Sequence, residues 1–102
     1  MKVSNMTSSK GNDVPNQFLI EDARILIDNL NIKGDMFQSY KSNIAFIPCY
    51  ECKGIVKAYL DSKYWDYSVT TGKYRNQFLG ETKKETERKI ASGEYILTDL
   101  NG

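Results

Sequence analysis

The 102-residue chain contains no histidine. Ser-His-Asp and Cys-His nucleophile pairs are therefore excluded, together with every metal site that needs an imidazole ligand. Cysteine is scarce, with two residues, so a disulfide framework is not expected and the two thiols read as reduced. Long apolar runs are also missing. Stretches such as Ile44 to Ile47 fall far short of the roughly 20 residues that span a bilayer as a helix, so no membrane association is expected. The opening residues Met1 to Asn12 are polar and lack the apolar stretch of a secretory leader. They read as a flexible tail over residues 1–12 of a cytoplasmic protein. Charge of one sign is not in excess either, since 14 basic and 13 acidic residues leave a formal +1. The molecule as a whole has no field to draw it onto nucleic acid, and any such binding has to be local.

What is present suits one folded unit. With 40% hydrophobic and 26% charged residues, residues 13–102 have the composition and length of a single domain with one core. Val14 to Ile20 is short, partly apolar and β-prone, with Pro15 near its start, and predicts a first strand. From Glu21 to Leu30, Asp22 offers a cap and Ala23, Leu26, Ile27 and Leu30 recur at helical spacing, which predicts a short helix. A buried strand over Ala23 to Ile27 is the competing reading, because periodicity cannot assign so short an apolar run.

Lys33-Gly34-Asp35 reads as a turn, and Met36 to Tyr40 and Asn43 to Ile47 as strands. Ile55 to Leu60 resumes the pattern after Pro48 to Gly54, which suggests a hairpin with both cysteines at its tip. Ser68 to Thr71 suits a helix entry, with Tyr74 and Phe78 on one face and Gly80 as the stop. Thr82 to Glu85 fits a capping box, and Gly93 ends a second, almost wholly charged helix. Glu94 to Leu100 reads as a last strand or an extended tail packed by Tyr95, Leu97 and Leu100. The fold class is α+β, a small antiparallel β-sheet packed with one to three short helices.

Two constellations could carry function. Cys49-Tyr50-Glu51-Cys52 has the spacing of half a zinc site. One chain lacks the other half, so Cys49 and Cys52 are weak metal candidates, whose sharpest form is a zinc-bridged homodimer; the bland reading is two incidental thiols. The second constellation gathers Lys63, Tyr64, Trp65, Tyr67, Lys73, Tyr74 and Arg75. Aromatic faces and cations together can grip single-stranded nucleic acid, and the same residue types are enriched in protein-binding hot spots. The bland reading is that the aromatics pack the helix onto the sheet. Asp61 and Asp66 have no companion group for acid-base work. No catalytic residue and no cofactor are expected.

Within this second constellation, Asp66-Tyr67-Ser68-Val69-Thr70-Thr71 through Phe78-Leu79 resembles the signature of small uncharacterised proteins from phages, plasmids and other mobile elements of Gram-positive bacteria. Asn16-Gln17-Phe18, Phe37-Gln38-Ser39-Tyr40 and Tyr59-Leu60-Asp61 resemble their upstream motifs. Glu21 to Asp35 departs from that pattern as an insertion into a shorter hairpin, and the cysteine pair is peculiar to this chain. The resemblance implies a genetic context and transfers no catalytic residue. The expectation is a non-enzymatic accessory protein that binds a host or defence-system protein or ribonucleoprotein, as an inhibitor of the anti-CRISPR or anti-restriction type. Direct nucleic-acid binding is the alternative.

Overall fold

A computed structural model describes residues 1–49 and 56–102. Six strands form one sheet in sequence order: β1 (Lys2–Thr7), β2 (Asp13–Ile27), β3 (Leu30–Ser39), β4 (Ser42–Pro48), β5 (Ala58–Asp61) and β6 (Tyr95–Thr98). The first five pair antiparallel, and β6 runs parallel to β5. A parallel neighbour needs a crossover connection, and α1 (Val69–Leu79) and α2 (Lys83–Ser92) supply it. The class is α+β, as expected. No described helix is long and apolar enough to cross a membrane.

Adjacent side chains of a strand point to opposite faces, and the sheet uses both. Phe37, Ala45 and Leu60 bury toward the helices, where Tyr74, Phe78 and Ile90 meet them. Their neighbours Met36, Phe46 and Tyr59 gather on the other face with Ala23, Ile25, Ile32 and Leu100. On the helical side the Phe37 and Phe78 rings lie 5.9 Å apart. The Ser39 and Thr71 hydroxyls, both buried, join β3 to α1 at 2.9 Å, and the Gln77 amide donates to the Thr7 carbonyl across to β1.

Three sequence expectations are corrected here. Residues 1–12 are not merely a tail, because Lys2–Thr7 pairs along β2 with Val3 opposite Ile20. Glu21 to Leu30 is not a helix. Its strand continues to Ile27, turns at Asp28 and Asn29, whose φ values of 51° and 65° fit a two-residue hairpin turn, and returns as β3. The competing strand over Ala23 to Ile27 is the observed one, with Ile25 opposite Ile32 and Ile27 opposite Leu30. The segment set apart as an insertion is thus the distal half of a long hairpin, offset from its base by a register shift between Ile20 and Ala23.

Lys33-Gly34-Asp35 is no turn either, but lies inside β3. Gly34 is required there by close approach: a Cβ would collide with the Ile47 carbonyl oxygen and come within 2.8 Å of the Pro48 Cα. The hairpin of β4 and β5 forms as read, with Ala45 opposite Leu60, although β5 begins only at Ala58. Residues 50–55, which include Cys52 and much of the expected tip, lie outside the described residues.

Both helices start and stop where the sequence placed them. Ser68 Oγ accepts from the Thr71 amide at 3.1 Å, and Gly80 closes α1 with φ 71°. The Thr82 and Glu85 capping box is complete, and Gly93 closes α2 with φ 87°.

Candidate functional site

The connection from β5 to α1 is organised by a buried carboxylate. Asp61 Oδ2 accepts from the Lys63 and Tyr64 amides at 3.1 and 2.8 Å, which turns the chain. Its Oδ1 accepts from the Leu100 amide and the Asn101 side chain at 2.9 and 3.0 Å, which ties down the C-terminal segment. Asp61 is thus a structural hub, and it does not pair with Asp66.

Arg75 is only 1% exposed. Burying a guanidinium requires acceptors, and Nη1 donates to the Trp65 carbonyl at 2.8 Å and to Asp66 Oδ1 at 3.4 Å, while Nη2 donates to Asn76 Oδ1 at 2.9 Å. Its Nε has no partner among the described residues. The guanidinium carbon also lies 5.2 Å from the centroid of the half-buried Trp65 ring, a cation–π distance. Asp66 binds Lys83 Nζ at 2.7 Å on its other oxygen. The Lys83 hydrogen bond, opposed by partial burial and aided by Arg75, holds the Asp66 carboxyl below its usual range.

A cavity of about 640 Å³ opens beside this cluster. Lys73, Arg75 and Lys83 line it with Asp66, at the Ser68 end of α1. Gly72 forms part of its wall, and the nearest atom to a Cβ there would be Arg75 Nη2 at 3.6 Å. Val69, 91% exposed, also lines it, and Tyr67, 57% exposed, meets the half-buried Tyr64 ring edge-on at 5.8 Å.

Of the seven residues expected to bind a partner, the fold therefore brings Lys63, Tyr64, Tyr67 and Lys73 to an accessible surface. It withdraws Tyr74, 5% exposed and part of the core, and encloses Arg75 as the support of the connection. Trp65 packs against the core with one face held by Arg75. Sequence reasoning weighed Asp66 only as an acid and missed its ion pair with Lys83, and it did not single out Val69 or Gly72 as site residues. Lys83 lies beyond the end of α1, and only the packing of α2 returns it to the site.

Cys49 lines a smaller hollow beside Asp22, Lys33 and Asp35, with its amide donating to the Lys33 carbonyl. No group of three metal-ligating side chains occurs among the described residues, and Cys52 is outside them.

Residues 1–94 match DUF8033, a family of unknown function. No curated protein and no solved structure matches the chain.

Proposed function

The chain belongs to DUF8033, a family of unknown function, and we propose that it is a non-enzymatic protein that binds a host protein in the bacterial cytoplasm. The surface assigned to that role lies where β5 hands over to α1. The observation that carries the reading is the exposure of Tyr67 and Val69, with Lys73 and Lys83 lining one cavity with Val69 and Lys63 over the Tyr64 ring that Tyr67 meets. Exposed apolar side chains with cations nearby are complementary to an apolar side chain flanked by acids. The mobile-element signature, which runs through these same residues, supports a defence-system component as the target and inhibition as the effect.

The nucleic-acid reading draws on the same lysines and on Tyr64 and Tyr67. Its weakness is the shortage of open stacking faces, since Tyr74 is in the core and one face of Trp65 is occupied by Arg75.

The test is affinity capture from host cells with the wild-type chain and with a Tyr67→Ala, Val69→Ser double variant of unchanged thermal midpoint. A specific acidic partner lost by the variant supports the reading. A partner set unaltered by the variant overturns it, as does binding to single-stranded DNA or RNA that weakens steeply with salt.

A further inference from the structure

We propose that the cavity beside α1 is a binding site for a phosphate monoester, held by Lys73 and Lys83 over the buried charge of Arg75. Charge favours such a ligand. Three cations face a single carboxylate across this cavity, a formal excess of two positive charges in a protein whose total is +1. A phosphate monoester carries about −1.5 to −2 at neutral pH, so it balances the site as a single carboxylate would not. Room is sufficient, because about 640 Å³ lies within the roughly 300–1,000 Å³ typical of small-ligand sites.

Gly72 points the same way. It sits inside α1 without a positive φ, and a Cβ there would meet nothing closer than 3.6 Å. Folding does not require glycine at this position, and an alanine would be about 1 kcal/mol more favourable in a helix. What the missing side chain does provide is a thin wall over the Arg75 guanidinium, whose Nη2 and Nη1 are the atoms nearest to it. That group is 1% exposed and its Nη atoms already donate to Asn76, Asp66 and the Trp65 carbonyl, so it contributes charge from beneath the wall. The amino-terminal end of α1 at Ser68 and Val69 adds its partial positive charge on the same side. Lys83 is now held by Asp66, and an incoming phosphoryl oxygen competes for it.

This site goes beyond the surface reading above, and its test uses no macromolecule. Trp65 is the only tryptophan and stacks on Arg75, so its fluorescence reports the site directly. Inorganic phosphate and adenosine monophosphate are titrated into the intact chain, with sodium chloride at matched ionic strength as the reference. A saturable change with either phosphate and none with chloride is expected. Saturation by the nucleotide at the lower concentration identifies an organic monoester as the ligand, and equal saturation identifies the phosphoryl group alone. Lys73→Gln and Lys83→Gln should each weaken binding about tenfold, Asp66→Asn should tighten it, and Gly72→Ala should weaken it while raising the melting temperature. A response shared with chloride, no saturable response, or lysine variants that bind like the wild type would overturn the assignment.

Discussion

Replacing Glu81 by alanine tests the tightest polar cluster of the fold. Its carboxylate, whose side chain is 3% exposed, accepts from Lys89 Nζ at 2.6 Å, Thr86 Oγ1 at 2.6 Å and the Tyr95 hydroxyl at 2.9 Å. It thereby joins the α1–α2 connection to α2 and to β6. A hydrogen bond to a charged group contributes about 1.5–3 kcal/mol net, and three sharing one acceptor do not add fully. Lys89, about a quarter exposed, regains water when the carboxylate is removed, so the expected loss is about 3 kcal/mol. For a domain of this size that lowers the melting temperature by roughly 12–20 °C. Differential scanning calorimetry measures it, and a double-mutant cycle with Tyr95→Phe should give a coupling of about 1 kcal/mol. A shift below about 4 °C, or strict additivity in the cycle, would refute the account of Glu81 as the clamp on β6.

The same cluster sets a pH dependence. Burial pushes the Glu81 carboxyl up, but hydrogen bonds from Lys89, Thr86 and Tyr95 outweigh it, and the group stays below its ordinary 4.5. Its contribution is complete above that value and is lost as pH falls through the lowered one, so Glu81→Gln should flatten the acid limb of the stability profile. Tyr95 is pushed up to about 12 by burial first and by Glu81 second. Its neutral form stabilises the fold fully below pH 10, and this is lost between pH 10 and about 12, which Tyr95→Phe should abolish in alkaline unfolding. Gly34→Ala should cost about 3 kcal/mol or more, measured by urea unfolding, because the new methyl meets backbone of β4; wild-type stability would contradict the close approach. Asp61→Asn turns an amide donor toward backbone N–H groups and should cost about 2–3 kcal/mol. Hydrogen exchange at the Leu100 amide should accelerate with it, and unchanged protection there would remove Asp61 as the anchor of the C-terminal segment.

The helices were legible because their ends are local events. Ser68, Gly80, Thr82 and Gly93 each act within a few residues, so a reader of the chain sees the cap and the group it satisfies together. The hairpin of β2 and β3 was misread because its apolar residues fit two periods. The deciding feature, Asp28 and Asn29 in left-handed conformation, gains its meaning from the pairing of Ile25 with Ile32. Gly34 was misread for a similar reason, since a glycine in a turn and one under a crossing backbone look alike in sequence. At the site, composition singled out the segment from Lys63 to Arg75. It could not separate Tyr67, which is exposed, from Tyr74, which is core, because burial depends on which strand lies opposite.

The sequence by itself determined the α+β class, the two helices with their caps and the exclusion of histidine chemistry, all consequences of residue type or of neighbours close along the chain. Only the tertiary structure decided that β6 completes the sheet in parallel and that both sheet faces carry a buried cluster. The tertiary structure alone also joined Lys83 to Asp66 and Arg75 beside one cavity. These depend on contacts between residues distant in the chain, and no local pattern records how α2 folds back to make them.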